Sequence, residues 1–197
     1  LQAADLLGYG ALLLVVLLAL EGMGDSGLEV FDQLLHIFAE LHMSTAKSDF
    51  EQKTRAFLAI APQFRLGDLV TELRLMAEAD PERVETTLLI HPRALNDFLD
   101  YNDFLDVADA AIEDMGLAGV MQVASFHPDY QFAGTAPDDV ENLSNRSPHP
   151  MLHLLREDSI DRAVAAFPDA AAIYERNIET LRRLGTDGWH TLMSKTG

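Results

Sequence analysis

The chain has no cysteine. That excludes disulfides, thiolate nucleophiles and cysteine-ligated zinc together. Cations are scarce as well: 14 Lys and Arg stand against 32 Asp and Glu, a formal net charge of -18. After Arg93 the next basic residue is Arg146. With no basic patch, such a surface repels phosphate backbones and anionic lipid, so nucleic acid is excluded as an expected partner. No Walker loop, GxSxG elbow or HExxH helix is written in the chain, which leaves function to be sought in scattered residues.

What is present is apolar: 48% of 197 residues are hydrophobic, enough for a real core and one domain with an appendage. Leu6 to Leu20 is uncharged on every side. Such a helix is either buried against protein or held in a membrane. A spanning helix needs about 20 apolar residues, and this run stops early at Glu21. Asp5 and the lack of a basic start argue against a secretory signal. The expectation is a helix packed on its own chain, a second copy or a partner helix through residues 6–41; a membrane tether through residues 6–20 is the alternative to a cytoplasmic protein. Gly22 to Gly27 reads as a turn, and Leu28, Phe31, Leu34, Leu35, Phe38 and Leu41 as one face of an amphipathic helix. Residues 1–42 thus read as an added helical segment, 43–189 as the main domain and 190–197 as a tail.

Ser48 with Glu51 forms a capping box, predicting a helix that carries Phe57, Leu58 and Ile60 to Pro62. Asp68 is expected to cap a second helix bearing Leu69, Val70, Leu73 and Met76. Val84 to Ile90 and Val120 to Phe126 read as strands, and Met151 to Arg156 as another. Between the first two, Asp97, Asp100, Asp103, Asp106 and Asp109 recur every third residue. At about 100° per residue that row drifts around a helix, which predicts two helical pieces with a corner at Tyr101-Asn102-Asp103, closed at Gly116. Strand, helix, strand at this spacing predicts a βαβ unit with parallel strands and a right-handed crossover, the two being neighbours if no strand intervenes. Helices starting near Asp158 and Asp169 follow, the second carrying Ile178, Leu181 and Leu184 to Gly185.

Both central strands end alike, in Ile90-His91-Pro92 and Phe126-His127-Pro128. Ligands of open α/β sheets bind outside that carboxyl edge. The connection from His127 to Pro150 is too long for filler, and Tyr130, Phe132, Val140 and Leu143 give it anchors. Three readings of its polar residues follow. His127, Asp129 and His149, with His91 or Glu141, have the donors for a divalent metal, against the commoner case of a strand-end histidine bonded to a carbonyl. Arg146, with Ser147 and His149, suits an anionic small molecule, or else pins the loop by pairing with Asp138 or Asp139. The Asp100-to-Asp103 corner either faces the site or is a plain helix cap. His153, alternating with Leu152 and Leu154, reads as packed and hydrogen-bonded.

TTLLIHP, FLDYNDFLDVADA, QVASFHPDYQFAGTAPDDVEN, NRSPHPMLHLLRE and ERNIETLRRLG together resemble the bacterial and plastid domain-of-unknown-function family 1415, over about residues 68–189. The resemblance implies a compact domain of cytosolic type and supplies no activity. The family's pattern has a cysteine-bearing LNLCPFA-like segment and a further strand before the helix near Asp68. Here Phe57 to Phe64 runs almost directly into Leu66-Gly67-Asp68, without a cysteine.

The sequence therefore predicts an α+β (or small α/β) fold, a mixed sheet of about three strands covered by helices. Two functions compete: a small-molecule enzyme or binding domain with His91, His127 and Asp129 at its site, and a non-catalytic structural or assembly module. Deleting residues 1–42 tests the packing of the N-terminal segment. The shortened chain should aggregate or melt lower in a thermal scan; a soluble, equally stable remainder would show the segment to be dispensable.

Overall fold

The computed structural model describes residues 54–58, 66–147, 149–166 and 178–189. The readings made above for residues 1–53, for Pro62, for the helix start near Asp169 and for the tail lie outside the described residues. Described residues 54–58, 66–127 and 149–166 belong to one compact unit, and 128–147 with 178–189 to another.

The first unit is α+β, as expected, and its sheet has four strands in the order β1-β2-β4-β3. They are β1 (Thr54–Leu58), β2 (Thr86–Ile90), β3 (Met121–Phe126) and β4 (Met151–Arg156). Helix α1 (Leu66–Glu78) joins β1 to β2, α2 (Phe98–Asp114) joins β2 to β3, and α3 (Glu157–Ala166) follows β4 directly. β2, β4 and β3 are antiparallel neighbours, while β1 adds to β2 in parallel.

Two expectations are corrected here. Residues 54–58 form a strand, where the capping box predicted helix; pairing with β2 outweighs a short local helical signal. β2 and β3 run parallel, as expected, but β4 lies between them, and the neighbouring parallel pair is β1-α1-β2. A long return connection can insert a late strand between two earlier ones, and nothing in the local pattern registers it.

α2 is a single unbroken helix, so the corner at Tyr101-Asn102-Asp103 does not exist. The reason lies in where the Asp row begins. Asp97 sits at the core-facing angle but outside the helix, as its N-cap, accepting from the Leu99 and Asp100 amides at 2.8 and 3.2 Å. From Asp100 onward each step of three turns the row by about 60°, so the remaining carboxylates sweep only the outer half of the helix. Asp100, Asp103, Asp106 and Asp109 are all exposed, while Tyr101, Ala108, Ala111 and Ile112 face the core. The helix ends in a Schellman turn: Leu117 N–H donates to Ile112 O and Gly116 N–H to Glu113 O, both at 2.9 Å. Gly116 supplies the φ of 69° that this turn needs. α1 begins two residues before Asp68, which lies in its first turn and favours the positive end of the helix dipole.

The sheet's two faces divide by strand alternation. Leu89, Met121, Leu152 and Leu154 pack on Leu69, Leu73 and Met76 of α1 and on the buried face of α2. Leu88, Ile90, Met151, His153 and Leu155 are buried on the opposite face. Arg156, mostly buried, donates to the carbonyls of Met76, of Ala79 at 3.1 Å and of Val84 at 3.2 Å, closing the end of α1. Among the described residues no helix is long and apolar enough to cross a membrane.

In the second unit the connection after β3 folds on itself. Asn142 is fully buried and accepts from Phe132 N–H and Thr135 Oγ1–H while donating to Ala136 O. A short 3-10 helix (Val140–Asn145) carries Leu143 against Ile178, Leu181 and Trp189 of the helical run 178–189. Gly185 does not end that run, though its φ of 65° is left-handed.

Replacing Asp97 by Ala removes the cap of α2. Urea denaturation should show a loss of about 1 kcal/mol; an unchanged midpoint would mean that the two amides find other acceptors. A second prediction concerns His153. The Thr86 hydroxyl donates to Leu154 O at 2.8 Å, so His153 Nε2–H must donate to Thr86 Oγ1, 2.5 Å away, and the ring is neutral. Burial pushes its pKa down from 6.5 to about 3. The unfolded chain then takes up a proton near pH 6.5 that the folded chain refuses until about pH 3. This stability is complete above pH 6.5 and is lost as pH falls toward 3, by at most about 1.4 kcal/mol per pH unit. Denaturant midpoints should fall more steeply between pH 7 and pH 4 for the wild type than for His153→Leu, in which Thr86 keeps its bond to Leu154. Parallel profiles would refute the assignment.

Candidate functional site

β2, β4 and β3 end together in one row, because Ile90 and Phe126 both lie opposite Met151. The next position on β4 is Pro150. His91 N–H donates to its carbonyl at 2.9 Å, and the register sets His127 on its other flank. The two histidines do share a sheet edge, as the sequence implied. They are not on neighbouring strands, because β4 intervenes. Their backbones are therefore about two strand spacings apart, roughly 10 Å, instead of one. Alternation sends both side chains to the face covered by α1 and α2, and neither has any exposed surface.

His127 is held on several sides. Its Nε2–H donates to Leu95 O at 3.1 Å. Its ring lies 5.3 Å from that of Phe98 and 5.1 Å from that of Tyr101, tilted to both. The acceptor residue is unusual: Leu95 has a φ of 57°, a left-handed conformation that costs a branched side chain on the order of 1–3 kcal/mol. The strained turn after His91 is thus tied to His127. Tyr101 itself is fully buried, its hydroxyl donating to Met151 O at 2.7 Å and accepting from Phe126 N–H at 2.8 Å.

His91 is the most perturbed group at this edge. Burial drives its pKa down to about 4, and the charge of Asp68 in the first turn of α1 only partly opposes this. His149, two residues before β4, is half-buried, and burial lowers it too. His153 points to the opposite face and takes no part.

The other expected site residues belong to the second unit. Arg146 donates to the carbonyls of Tyr130 at 3.3 Å and Pro137 at 2.5 Å. It pins its loop, as one of its two readings had it, but through carbonyls and not through Asp138 or Asp139. Asp129 is exposed and Ser147 is buried. Glu141 pairs with Arg182 at 2.6 Å. Among the described residues no group of three or more His, Asp or Glu side chains is arranged to hold a metal ion.

Sequence reasoning missed Phe98, Leu95 and Asp68 as partners of the edge, and touched Tyr101 only through the reading that the Asp100-to-Asp103 stretch either faces the site or caps a helix. For Tyr101 a signal existed: it stands seven residues before Ala108 on the core face of α2, and a buried tyrosine hydroxyl must find a partner. For Leu95 there was none, since its left-handed backbone is imposed by tertiary contacts. No curated protein and no solved structure matches the chain. A family model does match, over residues 45–191. With that match covering most of its length, the chain belongs to the family described as "Protein of unknown function (DUF1415)".

Proposed function

We propose that the first unit binds a small molecule at the His-Pro edge of its sheet, with His91 presenting a neutral imidazole to it. The observation that carries this reading is the pairing of His91 and His127 on either flank of Pro150, on one face of the sheet. A histidine with a pKa near 4 is uncharged at neutral pH. It is poorly matched to general-base work there, but well suited to donate or accept a hydrogen bond, or to polarise a carbonyl. His149, half-buried, stands two residues before β4 in the chain. His91 has no exposed surface, so binding requires a local opening, and the left-handed Leu95 turn is the strained segment beside it. The proposal rests on His91 and His127.

A second reading, the non-catalytic module, has its own support. His127 spends its Nε2–H on Leu95, and Arg146 spends its guanidinium on loop carbonyls. Groups so committed stiffen a fold. Native mass spectrometry of the full purified chain separates the two readings. Binding predicts a non-covalent adduct on the wild type that His91→Gln lacks, with Tm lowered by no more than about 4 °C. A wild type without adduct would favour the structural module, and an adduct retained by the variant would take His91 out of the proposed site.

A further inference from the structure

The ladder between β3 and β4 has a phase that can be read from its far end. Glu157 N–H donates to Val120 O at 3.0 Å, so Val120 and Glu157 form a directly bonded pair. Antiparallel ladders alternate bonded and non-bonded pairs. The bonded pairs are then Gln122 with Leu155, Ala124 with His153 and, last, Phe126 with Met151. In that last pair the Phe126 amide and the Met151 carbonyl are the two groups that Tyr101 engages, at 2.8 and 2.7 Å. A side chain from α2 has been stitched into the end of the sheet ladder.

We infer that Tyr101 is the positioning residue of the His-Pro edge. Its hydroxyl uses its single proton on Met151 and a lone pair on Phe126, so it sets how the last residue of β3 sits against the first residue of β4. His127 is the residue immediately after Phe126. Where Phe126 is held, the His127 ring leaves the sheet against the Tyr101 ring, and Nε2 meets Leu95 O. Leu95 in turn lies in the connection that begins at His91. One hydroxyl therefore governs the aim of one histidine and, through Leu95, the strained turn that follows the other. Its relevance to ligand binding rests on the function proposed above; its control of His127 does not.

Tyr101→Phe in the full chain is the test, since it keeps the ring and removes the oxygen. In ¹⁵N NMR the His127 imidazole should lose its single Nε2–H tautomer. The His153 signals, on the opposite face of the sheet, should stay in place. The Phe126 amide should exchange about tenfold faster relative to Gln122 and Ala124, the protection of one hydrogen bond. If a wild-type adduct is found, the variant should hold it about tenfold more weakly, in keeping with the lost hydrogen bond. Unchanged His127 signals with unchanged Phe126 protection would overturn the inference, whether or not any adduct exists. Should the variant fail to fold, the wild type still decides. A slowly exchanging Tyr101 hydroxyl proton with a cross-peak to the Phe126 amide supports the inference, and its absence refutes it.

Discussion

The structure depends on the full burial of β4. All six residues from Met151 to Arg156 are buried, in the middle of the sheet. A central strand must satisfy its backbone on two edges and its side chains on two faces at once. The apolar side chains gain in doing so, at about 1.5–3 kcal/mol for each fully buried leucine. The polar ones do not, and each needs a specific answer. His153 has Thr86, and Arg156 has the carbonyls at the end of α1. These two sets of bonds lie on opposite faces, so together they lock the strand in both directions across the sheet.

The candidate site follows from how β4 begins. Pro150 accepts from His91 but has no N–H to return, so the ladder with β2 stops there. On the other side the ladder with β3 reaches its last pair at a tyrosine hydroxyl. Both terminations occur within one residue of each other, and each has a histidine at its end. Proline spacing alone would have aligned the two backbones. Their side chains are directed by what α1 and α2 bring over the same face, which is why Asp68, Phe98 and Tyr101 matter as much as the histidines.

Strands β2, β3 and β4 were legible because each is a short apolar run bounded by turn residues. β1 was not, since TRAFL has no local preference strong enough to oppose a nearby capping box, and its strand state exists only through β2. Strand order was hidden for the same reason: it is a long-range fact, set by where the connection after His127 returns. The Asp row was visible but its phase was misjudged, because the first carboxylate serves as the cap and leaves the helix one residue later. The histidine edge itself could be read from two His-Pro endings. Its organisation could not, because a left-handed leucine and a hydroxyl inserted at a ladder end have no one-dimensional signature. Arg146 reads either as an anion clamp or as a pin for its loop; the loop-pinning bonds go to backbone carbonyls, acceptors that no side-chain pattern in the sequence marks.

The acidity of the chain, a net charge of -18, favours protonation of its histidines. It does not govern the buried ones. His91 and His153 are both driven down, to about 4 and about 3, with burial the leading cause in each case. The difference is one of range. Exposed carboxylates on α2 are screened by salt over about 8–10 Å, whereas the cost of charging an imidazole inside the core is local and unscreened. Even Asp68, whose charge reaches His91, offsets only part of that cost. Burial on the two faces of the sheet, and not the surface charge, therefore sets the protonation state of these two histidines.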